Sequence, residues 1–170
     1  MNIKHAIPNA ESMMNRHVHT LTPEMSLKDV VQELRKHDIS CAPVVKEEKE
    51  SKKTLIGFVS EGDCLAHLSS EMFFGNPWPP QTAATIMNKH PICVSPGDDL
   101  FSIASVVVSR RLRHLPVVDA NDQVLGLISR REVISSLETF YDQMDQDYRS
   151  EHFRPDLHEV MNLRFVTGKE

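Results

Sequence analysis

The 170-residue sequence has no run of apolar residues long enough to cross a bilayer, which takes about 20 residues. It also lacks an excess of positive charge, because its formal net charge is −5, whereas nucleic-acid-binding proteins are normally strongly basic. Residues 1–14 contain no apolar core of the signal-peptide type. These absences predict a cytoplasmic protein that binds neither nucleic acid nor a membrane.

Cysteine is scarce as well, with three residues in the chain, Cys41, Cys64 and Cys93. Their number is odd and no two have the close spacing of a metal knuckle, so we expect reduced thiols that act as small apolar side chains. His17 and His19 would share one side of a strand, but no cluster of carboxylates or cysteines accompanies them. No nucleophile–base arrangement, phosphate-binding loop or dinucleotide-binding glycine motif is present. The sequence therefore predicts no catalytic residues, no metal site and no obligatory cofactor.

What the sequence does contain is an internal repeat. The matching segments are Met14-Asn15 with Met87-Asn88, Pro43-Val44-Val45 with Pro116-Val117-Val118, Gly57 with Gly126, and Ser60 with Ser129. The offset is 73 for the first two pairs (87 − 14) and 69 for the last two (126 − 57). The change is explained by a shorter turn in the second copy, which a chain tolerates easily. Matches in such a constant register predict two copies of one structural unit.

Each copy has the pattern of a β-α-β-β-α unit. Ser26 and Asp99 are suited to cap a helix, and apolar residues follow each of them at helical spacing. Two short apolar strands joined by a polar turn come next, and a second helix opens at Ser60 or Ser129. The predicted strands are 18–21, 42–45 and 55–59 in the first copy and 92–94, 115–118 and 124–128 in the second. A unit of about 55 residues buries too little surface to be stable alone, so we expect the copies to pack together about a pseudo-twofold axis.

The repeat also predicts how the chain is divided. Residues 1–11 are an N-terminal extension, 12–70 the first repeat, 71–82 a linker rich in proline and aromatic residues, 83–138 the second repeat, and 139–170 a C-terminal helix and tail. The linker aromatics either pack over the repeats or form an interaction surface. Apolar residues at 3-4-3-4 spacing predict that the last helix continues past the repeat with an apolar seam: Ile134, Leu137, Tyr141, Met144 and Tyr148.

Four segments of the two copies resemble a known family. They are Ile39-Ser40-Cys41-Ala42-Pro43-Val44-Val45, Gly57-Phe58-Val59-Ser60-Glu61-Gly62-Asp63, Leu112-Arg113-His114-Leu115-Pro116-Val117-Val118-Asp119 and Gly126-Leu127-Ile128-Ser129-Arg130-Arg131-Glu132. Together they resemble a tandem pair of cystathionine β-synthase (CBS) domains, also called a Bateman module, over roughly residues 12–138. The resemblance implies an α/β (α+β) fold of two βαββα repeats with an extended C-terminal helix. It also implies a regulatory ligand (AMP, ADP, ATP or S-adenosylmethionine), no catalysis, a homodimer, and a possible protein effector.

The resemblance further implies a ligand site shared by the two repeats. The family signature of Gly, an apolar residue, any residue, Ser or Thr, two residues and Asp is complete at Ser60 and Asp63, where a carboxylate at a helix start can accept hydrogen bonds from ribose hydroxyls. Arg113 and His114 precede the Pro-Val-Val strand of the second copy and would reach a phosphate held by the first. With Thr22, these four residues form the stronger predicted site.

A weaker, pseudo-symmetric site is implied by Ser40, Cys41, Ser95, Ser129, Arg130 and Glu132, where Glu132 replaces the Asp of the signature. An alternative stays open, because Ser-x-x-Asp and Ser-x-x-Glu are also ordinary helix capping boxes. In that case the protein is a ligand-independent dimeric scaffold. The remaining arginines of this region fit a solvated face as well as they fit a site: Arg110, Arg111 and Arg131.

Overall fold

The fold is known from a computed structural model that describes residues 6–47, 52–74 and 80–151. Its side chains are described for residues 6–47, 52–69 and 80–146. The elements in chain order are α1 (Ala10–Met13), α2 (Leu27–Lys36), β1 (Cys41–Glu47), β2 (Lys53–Ser60), α3 (Glu61–Phe74), α4 (Ala83–Ile86), α5 (Leu100–Ser109), β3 (His114–Val118), β4 (Val124–Ser129) and α6 (Arg130–Glu151). No helix in these ranges is long and apolar enough to cross a membrane.

Two antiparallel hairpins, β1–β2 and β3–β4, form the centres of the two repeats. Their registers match: Val44 lies opposite Gly57 in the first hairpin, and Val117 lies opposite Gly126 in the second. Each ladder is then interrupted by one extra residue, which bends the hairpin at the same place. The predicted fold class, a mixed α/β fold with two repeated units and a C-terminal helix, is confirmed.

The first strand predicted in each repeat is shorter than expected. Instead of strands over 18–21 and 92–94, a single residue of each segment pairs with a hairpin in parallel: Leu21 with Val44 and Val94 with Val117. Proline lacks an N–H and cannot extend a ladder. Pro23 and Pro96 therefore prevent either pairing from continuing beyond the C-terminal end of the predicted strand.

Helices α2 and α5 begin and end in equivalent ways. The predicted caps are present: Ser26 Oγ accepts a hydrogen bond from the Asp29 N–H at 3.2 Å, and Asp99 Oδ1 accepts one from the Ser102 N–H at 3.1 Å. Two residues after each helix, the chain turns through the left-handed region at Asp38 (φ 52°) and Arg111 (φ 53°). Such a turn usually takes glycine, so a charged residue at this position is unusual.

The core of each repeat includes a short helix that precedes the other repeat in the chain. Helix α1 joins the apolar core of the second repeat, where the N–H groups of Ala10 and Asn15 donate to the carbonyls of Asp98 (2.8 Å) and Leu127 (2.9 Å). Helix α4 joins the core of the first repeat in the same way. Neither helix was predicted, because four residues are too few to show a periodic pattern.

A methionine after each short helix covers a glycine of the opposite hairpin. A Cβ added to Gly126 would lie 2.6 Å from the Met14 sulfur, and one added to Gly57 would collide with Met87. The recurrence of both Met-Asn and Gly in the two copies therefore has a packing cause: the glycine leaves the space that the methionine fills.

The C-terminal helix agrees with the predicted seam only in part. Leu137 and Met144 pack against the core of the second repeat beside Phe140, which is 2% exposed, whereas Ile134 and Tyr141 face outward. Helix α3 continues to Phe74, into the segment predicted to be the linker. Residues 75–79 of the linker, the Tyr148 side chain and residues 152–170 of the predicted tail lie outside the described part of the structure.

Candidate functional site

A cleft of about 420 Å³ lies between the two repeats. The first repeat contributes the end of β2 and the start of α3, and the second contributes residues 88–92 and the turn that leads from α5 into β3. The residues that line it include Ser40, Cys41, Phe58, Ser60, Asp63, Asn88, Ile92, Arg111, Arg113 and His114. Side chains from both repeats thus surround one space, which we call the first cleft.

The first cleft brings together most of the residues predicted for the stronger site. Ser60, Asp63, Arg113 and His114 all line it, whereas Thr22 does not. Ser40 and Cys41, which were predicted for the weaker site, also line this cleft. The reason is that β1 begins beside the end of β2, so Cys41 lies directly opposite Ser60 in the ladder.

The signature residues form a capping box at the start of α3. Asp63 Oδ2 accepts hydrogen bonds from the Ser60 N–H (2.8 Å) and from Ser60 Oγ (2.6 Å). The other carboxylate oxygen, Oδ1, accepts no hydrogen bond from any residue that the structure describes. One oxygen therefore stabilises the helix start while the second can accept hydrogen bonds from a ligand in the cleft.

The second repeat has the same capping box with a longer acid. Glu132 Oε2 accepts hydrogen bonds from the Ser129 N–H at 2.7 Å and from Ser129 Oγ. The capping interaction thus tolerates either Asp or Glu, and it does not explain why the first repeat has the shorter side chain.

A second, smaller cleft of about 160 Å³ adjoins Glu132. It is lined by Asn15, His17, Val18, His19, Ile39, Cys41, His114, Leu127, Ser129 and Glu132. Three residues predicted for the weaker site, Cys41, Ser129 and Glu132, therefore meet here. Ser40, Ser95 and Arg130 do not line this cleft; the Arg130 guanidinium instead donates to the Leu112 carbonyl.

The positive charge of the first cleft comes from arginine. Arg111 and Arg113 are both exposed at its edge, while Arg110 and Arg131 lie outside it on the surface. Burial lowers the pKa of His114, and the nearby Glu132 carboxylate offsets this only in part. His114 is therefore neutral at pH 7 and offers a hydrogen bond rather than a charge.

The thiol of Cys41 lies between the two clefts, since it lines both. Burial raises the pKa of this thiol to about 12. The group is therefore protonated at neutral pH and contributes a small apolar wall.

Sequence reasoning missed several residues that line the first cleft, among them Phe58, Asn88 and Ile92, and it left Arg111 open between a site and a solvated face. Asn88 could have been found, because it is the counterpart of Asn15 in the repeat and must therefore hold the position in the second copy that Asn15 holds in the first. The position of Arg111 could not be decided from the sequence, because its backbone turn after α5 has no sequence pattern when the turn residue is not glycine.

Comparison with known proteins places this arrangement among proteins of one fold. The CBS domain pair of protein MJ0100, crystallised with 5′-methylthioadenosine and S-adenosyl-L-methionine, superposes with a TM-score of 0.65 at 21% identity, covering 79% of this chain and 98% of that one. CBSX2, a protein of Arabidopsis thaliana whose structure contains AMP, superposes with a TM-score of 0.65 at 23% identity, covering 78% of this chain and 98% of that one.

Sequence relatives include a larger enzyme. Inosine-5′-monophosphate dehydrogenase of Korarchaeum cryptofilum is 27% identical over 133 residues, which are 78% of this chain and 25% of that protein. The chain spans between 25% and 57% of the length of the first three curated relatives that it matches. The sequence model of the CBS domain family matches residues 10–70 and 83–139, the two repeats with the short helix in front of each. The chain therefore belongs to the CBS domain family.

Proposed function

We propose that this chain is a regulatory module that binds an adenosine compound in the first cleft and does not itself catalyse a reaction. The observation that supports the proposal is the convergence, in one cleft of about 420 Å³, of the Ser60–Asp63 pair of one repeat with Arg111 and Arg113 of the other. A carboxylate and two guanidinium groups facing one space suit a ligand that carries both hydroxyls and phosphate.

The lining of the first cleft supports one orientation for such a ligand. Asp63 Oδ1, which accepts no hydrogen bond from the described residues, would accept hydrogen bonds from the two ribose hydroxyls. The base would pack against the apolar side chains of Phe58 and Ile92, and the phosphate would extend toward Arg111 and Arg113. His114, neutral at pH 7, would supply one further hydrogen bond.

The related structures support the class of ligand, since one contains AMP and another contains two sulfur-linked adenosine compounds. Within that class, the two arginines favour AMP, ADP or ATP, because a sulfonium ligand carries no phosphate for them to bind. A ligand held by residues of both repeats would change how the repeats pack, and a partner protein would respond to that change.

The variant Asp63→Glu tests the proposal while keeping the helix cap. Glu132 demonstrates that Glu forms the same two hydrogen bonds to its serine, so the unliganded variant should melt at the wild-type temperature. The longer side chain displaces the carboxylate from the ribose, and we expect AMP to bind at least tenfold more weakly. The matched change, Glu132→Asp, should leave binding in the first cleft unaltered.

Isothermal titration with AMP, ADP, ATP and S-adenosylmethionine provides the readout. Saturation by one of the phosphate compounds at 100 times its dissociation constant should also raise the unfolding free energy by about 2.7 kcal/mol. Wild-type affinity in Asp63→Glu would refute the site. Absence of binding by all four compounds to wild-type protein that is free of co-purified nucleotide would refute the function.

A scaffold without a ligand is the second candidate. Both capping boxes are complete within the chain, so the Ser-x-x-acid motifs have a structural role that needs no nucleotide. This candidate would be favoured if none of the four compounds bound and a protein partner were captured by the wild-type chain.

We also propose that the chain forms a homodimer through its outer helices. Leu65, Val108, Ile134 and Tyr141 are between 58% and 76% exposed, which is unusually open for large apolar side chains. Light scattering should then report twice the chain mass. Replacement of Val108 and Ile134 by Asp should reduce this to the chain mass without loss of helix content, and a monomeric wild-type protein would contradict the dimer.

A further inference from the structure

The surface that holds α1 on the second repeat has a second candidate occupant in the same chain. We call this surface the α1 docking surface; it consists of Asp98, Leu100, Gly126 and Leu127. It holds residues 8–15 by backbone hydrogen bonds, by the burial of Ala10 and Met13, and by the methionine that covers Gly126.

The two segments that dock in this manner share a pattern. Each has a capping residue, a Ser or Thr three positions later whose hydroxyl accepts a hydrogen bond from the N–H of the capping residue, an apolar residue, and then Met-Asn. The Asn side chain accepts a hydrogen bond from the N–H two residues on, at 2.8 Å from His17 and 3.1 Å from His90. The two segments are Pro8-Asn9-Ala10-Glu11-Ser12-Met13-Met14-Asn15 and Gln81-Thr82-Ala83-Ala84-Thr85-Ile86-Met87-Asn88.

A similar pattern, with Glu159 in place of the Ser or Thr, occurs in the segment Pro155-Asp156-Leu157-His158-Glu159-Val160-Met161-Asn162. In this alignment Asp156 corresponds to Asn9 and Glu159 to Ser12. Asp is a common helix-capping residue, and Glu three positions later is a preferred capping-box partner. Val160, Met161 and Asn162 then match Met13, Met14 and Asn15 in order. The residue two positions after Asn162 is Arg164, which has the N–H that the Asn side chain requires.

We propose that residues 155–162 are an alternative occupant of the α1 docking surface of their own chain. The reach is sufficient, because Met144 of α6 packs against the core that Ala10, Met13 and Met14 complete. From Met144 the helix runs about 10 Å further to Glu151, and the four residues up to Pro155 can span about 14 Å in any direction.

One position explains why residues 8–15 are the resident occupant. Ala10 is completely buried, and the third copy has the larger Leu157 in its place. Inserting a larger side chain into a filled core is unfavourable, so the C-terminal copy competes at a disadvantage. The exchange would also alter the second cleft, since His17 and His19 leave with the N-terminal copy and Arg164 and Val166 would replace them.

Disulfide trapping tests the exchange in the full chain. Asn15 and Leu127 donate backbone hydrogen bonds to each other at 2.9 and 3.0 Å, and residues paired in this way have Cα atoms about 5.5 Å apart, which suits a disulfide. The resident pair is Asn15→Cys with Leu127→Cys, and the exchange pair is Asn162→Cys with Leu127→Cys. The collision control is Gly168→Cys with Leu127→Cys. All three carry Cys41→Ala, because Cys41 lines the same cleft as Leu127.

Peptide mapping after mild oxidation should show the 15–127 disulfide in high yield. The 127–162 disulfide should form within one chain, at least fivefold above the 127–168 control. Adding Met14→Ala, which weakens the packing of residues 8–15 on the α1 docking surface, should raise the yield of the 127–162 disulfide further. A 127–162 yield equal to the control would overturn the proposal. A 127–162 disulfide found only between two chains would also overturn it, because the occupant would then be a second copy.

Discussion

Arg111 combines a strained backbone with a position in the first cleft, and glycine substitution separates the two. Asp38 occupies the equivalent turn after α2 with the same backbone angle but does not line the first cleft. Arg111→Gly and Asp38→Gly are therefore a matched pair. Both remove a side chain from a left-handed turn, and only the first removes a cation from the candidate site.

The expected magnitudes follow from the backbone. A non-glycine residue in the left-handed region costs about 1–2 kcal/mol, and Asp tolerates this region better than Arg. Replacement by glycine removes this cost, but it also destabilises the folded state by about 0.5–1 kcal/mol, because glycine gives the unfolded chain greater conformational freedom. Arg111→Gly should therefore increase the unfolding free energy by about 0.5–1 kcal/mol, which raises the melting temperature by roughly 2–4 °C per kcal/mol. Asp38→Gly should be nearly neutral.

Ligand affinity should change in the opposite direction. A hydrogen bond to a charged group contributes about 1.5–3 kcal/mol, and the exposure of Arg111 places its contribution near the lower limit. We expect AMP to bind about tenfold more weakly to Arg111→Gly and with wild-type affinity to Asp38→Gly. Melting curves of the unliganded proteins and titration calorimetry at one fixed salt concentration measure both effects.

Either half of this reasoning can be refuted. A lower melting temperature for unliganded Arg111→Gly would show that the left-handed turn carries no relievable strain. Wild-type affinity for AMP in the same variant would show that Arg111 does not contact the ligand. Equal losses of affinity in Arg111→Gly and Asp38→Gly would indicate an indirect effect of the turn.

Three further outcomes follow from packing and titration. Gly126→Ala should lower the free energy of unfolding, measured in urea, by about 1–3 kcal/mol, because its Cβ would collide with Met14. Gly97→Ala, whose Cβ meets nothing within 4 Å, is the control, and an equal loss of stability in both variants would contradict the collision. The pKa of His114 is lower in the folded than in the unfolded chain, so the free energy of unfolding should decrease as the pH is lowered below about 6.5, the ordinary pKa of histidine. The His114→Gln variant should lack this part of the pH dependence, and a pH dependence equal to that of the wild type would contradict the prediction. Cys41, with a pKa of about 12, should react with iodoacetamide at pH 8 far more slowly in the folded than in the urea-unfolded protein, and equal rates would contradict its burial.

The sequence contained enough information for the repeats, the hairpins and half of the candidate site. Ser60 and Asp63 are adjacent through a helix start, so a local signature identifies them. Arg113 and His114 could be added because the repeat shows which strand of the other copy must face that signature. The placement of these four residues in one cleft could be predicted because each assignment rests on a short stretch of chain or on the internal repeat, whereas their role in binding a ligand stays a prediction.

The remaining features depend on tertiary contacts that have no local pattern. Helix α4 is too short to show periodicity, and its place is set by the space above Gly57 in the other repeat. The contribution of Arg111 depends on a backbone turn that sequence would predict only for glycine. Thr22 was assigned to the site by resemblance alone, and it does not line the first cleft.

The crossing of α1 to the second repeat has a consequence for the order of folding. The first repeat gains α4 soon after its own helices have formed, because residues 83–88 follow α3 closely in the chain. The core of the second repeat needs Ala10 and Met13, which lie far upstream of their contacts with Asp98 and Leu100. Contacts between such distant residues form slowly. During synthesis, residues 8–15 are made before every element of the second repeat, yet they should be among the last to dock, and the second repeat should stay incomplete until they do.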